Sequence, residues 1–343
     1  MTVSNREAAR RWDCSYHTAK KRRDAGEVPP DPDQTGPHFL DLPDVDHQDP
    51  EAIADAAAAL RSEILKRDIR QAEVTIRIGD GLPAGVAWRA DLHTGSLRTD
   101  LHAILRHNRI IRDTPGLYTG FAGDSWDNYG SSPNKRTGQH EAILPEEMQI
   151  AFVEESCLKY LRGKTLFFED GCHEAWTFAA TGTKPVKWLV RQLSGKGIKC
   201  AYLGHGGRIN LLVGKQKYII DTRHKGRGKS ILHIFQSIFR SFKDDSDYED
   251  LPHVTCHAHT HDSGHLKMFF RARWRVGLKP GSYKLTDDYG QKGGWANTRP
   301  SMPVTILYPD HNNIIVIDDL AAGARFLTAE RKRMSRLRSQ AGA

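Results

Sequence analysis

The sequence predicts an α/β fold. Short apolar runs alternate with helical periods from about residue 72 to about residue 320. Five of those runs end in Asp, His or Cys. A chain of 343 residues, 38% hydrophobic and 27% charged, is also long enough to bury a sizeable core without staples.

The elements follow in order. Residues 1–26 form a basic arm, with Arg6, Arg10, Arg11, Lys20, Lys21, Arg22 and Arg23 against Glu7, Asp13 and Asp24. EAARRWDCSYHTAKKRRDAG reads as two short helices about a turn, with Ser15 capping the second. Lys20, Lys21 and Arg23 fall near its outer face, as in a small helix-turn-helix that contacts nucleic acid. The plainer reading is a solvated basic helix that touches phosphates without reading sequence. Residues 27–60 carry nine acids and no Lys or Arg, with six prolines between Glu27 and Pro50, so 27–48 reads as an extended linker. Asp49 and Pro50 suit the N-cap and first position of an Ala-rich helix running to about Gln71, completing a segment 27–71.

The main domain spans 72–320. VTIRI alternates like a strand, and Val86–Trp88, Leu117–Phe121, Thr165–Phe168, Ala201–Leu203, Asn210–Val213, Tyr218–Ile220 and Val304–Leu307 are further strand candidates. Asp100–Ile111 and Glu146–Leu161 have helical spacing. A basic helix follows over 321–343, beginning near Asp318. The net charge of +8 and pI near 9.2 suit a polyanionic partner. No apolar run approaches the roughly 18 residues that span a bilayer, so no membrane partner is expected. The first residues lack an apolar leader and the five cysteines are scattered, so a reducing cytoplasm is expected. Oligomeric state is not legible.

The chemistry lies at the run ends. VAW leads to Asp91-Leu92-His93, LYTGFA to Gly123-Asp124-Ser125-Trp126-Asp127-Asn128, and TLFFED to Gly171-Cys172-His173-Glu174. YIIDTR leads to His224, with His205 and His233 as rivals, and HVT leads to Cys256-His257-Ala258-His259. In open α/β sheets ligands gather outside the carboxyl ends of strands, so five such tips can converge on a metal pair. Two divalent ions about 3.5–4 Å apart can clamp a phosphoryl group and activate a water between them. A single D-x-H occurs by chance roughly once in a chain of this composition. Asp100-Leu101-His102 is one, discounted because it lies inside a helical pattern without a preceding strand. The five-part order is far more specific.

That order resembles the calcineurin-like metallophosphoesterase family, whose motifs run D-x-H, G-D-x-x-D, G-N-H-[DE], H, G-H-x-H. The resemblance covers about 75–320, and RDTPGLYTGFAGDSWDN and RHKGRGKS resemble the subgroup found among bacteriophage and prophage phosphoesterases. It implies a four-layer αββα sandwich with the small helical arm added. It implies two divalent metals, Mn, Fe or Zn. Asp91, His93, Asp124 and His259 would hold the first, with Asp124 bridging; Cys172, His224 and His257 would complete the second. His173 would protonate the leaving group, oriented by Asp127, and Asn128 would contact substrate as in the branch that includes nucleases. Two positions depart from the pattern: Cys172 replaces Asn, and Cys256 replaces the first Gly of the last motif. A thiolate at 172 favours a softer ion such as Zn. The implied activity is a phosphodiesterase or nuclease acting on nucleic acid, in the host cytoplasm for a phage protein. Phosphatase action on a small monoester or nucleotide, and DNA binding by a degenerate core, are the alternatives. His261 and His265 lie just past the last motif as further possible ligands.

Overall fold

A computed structural model describes residues 4–12, 14–29, 50–71, 73–129, 141–228, 233–244, 251–271, 273–286 and 300–341. The chain divides into two compact units, Met1–Arg61 and Ser62–Ala343.

In the first unit, α1 (Asn5–Arg11) and α2 (Tyr16–Asp24) pack on each other through Ala8 and Ala19, both fully buried. Each helix starts on a serine. Ser4 Oγ accepts from the Glu7 amide at 3.2 Å and Ser15 Oγ from the Thr18 amide at 3.3 Å, filling donors that the first turn leaves open. Arg23 donates to Asn5 Oδ1 at 2.7 Å and so ties the two helices, whereas Lys20 and Lys21 are exposed. Helix α3 (Pro50–Gln71) begins at the proline, as the sequence pattern requires. Its expected cap Asp49, and the linker over 30–49, lie outside the described residues.

The second unit is an α/β sandwich. In chain order its elements are β1 (Glu73–Ile78), β2 (Ala84–Arg89), α4 (Leu101–Asp113), β3 (Leu117–Phe121), α5 (Glu146–Tyr160), β4 (Thr165–Phe168), α6 (Cys172–Thr181), α7 (Pro185–Gly195), β5 (Ala201–Tyr202), β6 (Gly206–Val213), β7 (Gln216–Arg223), α8 (Gln236–Asp244), β8 (Val254–His257), β9 (Gly264–Phe270), β10 (Arg273–Lys279), β11 (Val304–Leu307), β12 (Ile314–Ile317) and α9 (Leu320–Ala341). One six-stranded sheet runs β1-β6-β7-β8-β10-β9 and the other β12-β11-β2-β3-β4-β5. Within the second sheet β2, β3, β4 and β5 are all parallel, so their carboxyl ends share one edge.

The sheets meet through Val86, Trp88 and Phe167 of one and Ile209, Leu211, Ile220 and Val254 of the other. The outer face of the second sheet is covered by Ile104, Val153, Leu189 and Leu327 from α4, α5, α7 and α9. Strands β2, β3 and β4 are therefore screened on both faces, and they read as continuous apolar runs rather than alternating ones. Each fully buried Leu, Ile or Phe contributes about 1.5–3 kcal/mol. On the far side α8 lies against β10, where a side chain at Gly277 would come within 2.8 Å of Ile238. The layers are thus helix, sheet, sheet, helix. Asp100, the first residue of the discounted D-x-H, caps α4 by accepting from the Ala103 amide at 2.7 Å. No described helix is long and apolar enough to cross a membrane.

Candidate metal centre

The segments after β2, β3, β4, β7 and β8 converge at one end of the sandwich. Ladder bonds extend past the strands: the Asp91 amide donates to Gly123 O at 3.1 Å and the His93 amide to Asp124 O at 3.1 Å. Two glycines make the approach possible. A Cβ on Gly123 (φ 86°) would lie 2.6 Å from the His224 ring, and one on Gly171 would collide with Asp124 Oδ1. The Glu174 carboxylate accepts from three amides, Gly171 at 2.8 Å, Asp124 at 3.1 Å and Ser125 at 2.7 Å, and pins the Asp124 loop to the start of α6.

Backbone strain is concentrated here. Asp91 (φ 49°), His93 (46°), Asp124 (49°), Asn128 (46°), His259 (74°) and His261 (60°) are left-handed non-glycine residues; among the described residues Arg271 is the one other. Each such conformation costs about 1–3 kcal/mol and persists where the surroundings dictate it, typically at functional sites.

Donor atoms fall into overlapping groups, each within 4.8 Å: Asp91, His93 and His261; Cys172, His224 and His259; Asp91, Asp124 and His224; His93, Asp124 and His173. Asp91, His93, Asp124, Cys172, His224 and His259 are therefore together, whereas His205 and His233 belong to none of the groups. His257 is placed elsewhere. Its Nδ1 lies 3.0 Å from Ser237 Oγ and its Nε2 3.4 Å from Ser241 Oγ, so both ring nitrogens face α8. The last motif is thus displaced by two residues. His259 joins the set expected for His257, and His261 joins the set expected for His259. Ala258-His259-Thr260-His261 and Cys256-His257-Ala258-His259 fit G-H-x-H equally poorly at the first position, so nothing in the residue order chooses between them.

The ring tautomers indicate what the cluster can hold. His224 Nδ1 donates to Ala122 O at 2.8 Å, so in the neutral ring Nε2 is a lone pair, and it sits 3.0 Å from Asp124 Oδ2 without forming a hydrogen bond. His93 Nδ1 donates to Asp127 Oδ1 at 2.8 Å, leaving its Nε2 to face His261 Nε2 at 3.1 Å. Asp91 Oδ1 is also buried without a hydrogen-bond partner among the described residues. Buried acceptors at Asp91 and His224 beside the Asp124 carboxylate call for a cation, and imidazole, carboxylate and sulfur donors suit a divalent transition metal.

Without a metal, protons take the balancing role. Burial disfavours charge on His93, but Asp127 and Asp91 raise its pKa to about 9. His224 is buried too, and the adjacent Asp124 raises it well above the usual imidazole value. Burial and then the positive His224 push His259 down to about 4. Metal ions would displace the protons on His93 and His224.

His173 stands beside these groups. Its amide donates to Asp124 Oδ1 at 2.9 Å, and its Nδ1 donates to the backbone oxygen of Asp127. Burial lowers its pKa, against the attraction of Asp124. Asp127 thus orients His173 through its carbonyl, while its carboxylate serves His93. Asn128, almost fully buried, donates through Nδ2 to His173 O and Thr177 Oγ1; its Oδ1 has no hydrogen-bond partner among the described residues. Lys284 is a site residue that no sequence motif marks, because it reaches the centre from a distant loop. Its Nζ lies 3.5 Å from Asp127 Oδ1 and the side chain is buried.

Comparison with protein-family models finds no match, and comparison with curated proteins finds none. Solved structures give distant likenesses. The calcineurin-like phosphoesterase YfkN from Bacillus subtilis aligns at 9% identity and TM-score 0.37, over 74% of this chain and 97% of its own. Chaetomium thermophilum Vps29 aligns at 12% and 0.32, over 68% and 94%. A Saccharomyces cerevisiae serine/threonine phosphatase with similarity to human phosphatase PP5 aligns at 12% and 0.35, over 78% and 93%.

Proposed function

We propose that the chain is a metal-dependent phosphoric ester hydrolase whose substrate is a phosphodiester in nucleic acid. The observation that carries the reading is the two donor sets, Asp91/His93/His261 and Cys172/His224/His259, with Asp124 grouped with members of each. Two divalent ions held there would neutralise the phosphoryl oxygens and activate the attacking water. The protein's own groups supply the rest. Asp124 would serve both positions, since it groups with His224 and with His93. His173, held through Nδ1, presents Nε2 to the leaving-group oxygen and gives it a proton. Asn128 fixes the His173 backbone. Lys284 adds positive charge at the wall. The preference for nucleic acid is supported by the net charge of +8 and by exposed Lys20 and Lys21 on α2.

The test is turnover of a chromogenic phosphodiester and a monoester after chelation and after return of Mn, Fe or Zn. Hydrolysis should vanish with chelation and return with metal. His173→Ala should lower kcat by about 10²–10⁴ while metal content survives, with the smaller loss for the better leaving group. Faster monoester turnover would favour the small-phosphate alternative. Metal binding with no turnover would identify a degenerate core.

A further inference from the structure

Beside His173 lies a group of rings that the reaction described above does not use. The Trp176 ring centroid is 4.0 Å from that of His173, with planes tilted by 35°. Tyr129 completes the group, 5.5 Å from His173 and 5.8 Å from Trp176. Neither Tyr129 nor Trp176 belongs to the hydrophobic cores, and both are only partly buried. The Lys284 ammonium stands 5.4 Å from the Tyr129 ring centroid.

Local sequence places these groups together. Trp176 is three residues after His173 on α6, so one helical turn sets both rings on one face. Tyr129 follows Asn128 directly and comes to the same wall from the segment after β3. A partly exposed Trp and Tyr outside the core mark a surface suited to an apolar, flat ligand. Their position selects the ligand further. They flank the residue that protonates the departing oxygen, so they lie on the leaving-group side. Aromatic side chains beside a positive group are the usual means of holding a nucleotide, with the rings stacking on the base and the cation drawn to the phosphate.

Resting on the proposed phosphoesterase reading, we infer that Tyr129 and Trp176 form a subsite for the nucleobase of the leaving nucleoside. Specificity would come from the presence of a base rather than from its identity, because every base has a π-face.

The test is calorimetric titration of the metal-loaded, full-length protein with a nucleoside 5′-monophosphate and with ribose 5-phosphate, which has the phosphate without the base. Wild type should bind the base-bearing ligand about tenfold or more tightly than the baseless one. That ratio should fall towards one in Trp176→Ala and Tyr129→Ala and be largely kept in Trp176→Phe. Using the ratio within each variant removes any general loss of phosphate affinity. Equal affinities in wild type, or a ratio unchanged in both alanine variants, would overturn the subsite while leaving the phosphate reading intact. Failure of both ligands to bind, together with no ester turnover, would overturn the phosphoesterase reading and the subsite with it.

Discussion

His257, His259 and His261 share one stretch of chain, and backbone conformation decides which of them reach the cleft. His257 ends β8 in extended geometry and turns to the serines of α8, whereas His259 and His261 adopt left-handed φ and turn inward. Truncating each histidine should therefore give different results. His261→Ala should lose about one metal equivalent by elemental analysis. His257→Ala should keep both and lose only stability, about 1–3 kcal/mol for serine partners left unpaired, read from denaturant unfolding. In the proposed centre Cys172 would set the metal preference. Its Sγ lies 3.5 Å from His259 Nδ1 and groups with His224, so it offers a sulfur donor where an amide oxygen would favour Mn. Cys172→Asn should shift the metal retained from mixtures towards Mn, and the near-ultraviolet sulfur-to-cobalt absorption of the cobalt-loaded wild type should disappear. A cobalt-loaded wild type without that band would show that the sulfur is not a ligand.

At the scale of elements, the site is made by strand ends that stop at the same edge. The start of α6 matters most, because it delivers Cys172 and His173 and anchors the Asp124 loop through Glu174. Gly171→Ala would drive a methyl group into both the carboxylate and the amide of Asp124. The expected outcome is a fall in kcat/KM of about 10²-fold with partial metal loss, since roughly 1 Å of misplacement at a reactive group has that cost. Retained kcat/KM in a folded Gly171→Ala protein would show that the loop tolerates the shift. The strands that supply the site were legible because they are buried on both faces and end in polar residues, as TLFF and LYTGF do. Helices α6 and α7 were not, since Gly171 and Pro185 open them just past turn-like segments. Strand β9 alternates half-buried with exposed positions at the sheet edge, and β12 is only partly covered, so neither gives a strong apolar run. The Asp, His and Cys residues that gather at the strand ends were legible from order alone, but which histidines of the last motif join them depends on φ angles that composition does not reveal.

At the scale of the molecule, the basic helical arm and the sandwich are separate compact units. Deleting residues 1–48 should leave turnover of a small diester unchanged and weaken nucleic-acid binding. The slope of log affinity against log salt should become shallower by about one unit for each phosphate that the arm neutralises. An unchanged slope would assign the arm another role. The proposed chemistry depends on two metal positions sharing Asp124, and stoichiometric reconstitution tests it most directly. Metal-stripped protein is titrated with Mn, Fe or Zn while bound metal and diester turnover are followed together, for wild type and Asp124→Asn. Wild type should take up two equivalents, with activity rising on the second, and Asp124→Asn should hold at most one equivalent without turnover. Full turnover at one equivalent, or two equivalents and undiminished turnover in Asp124→Asn, would contradict a shared dinuclear centre.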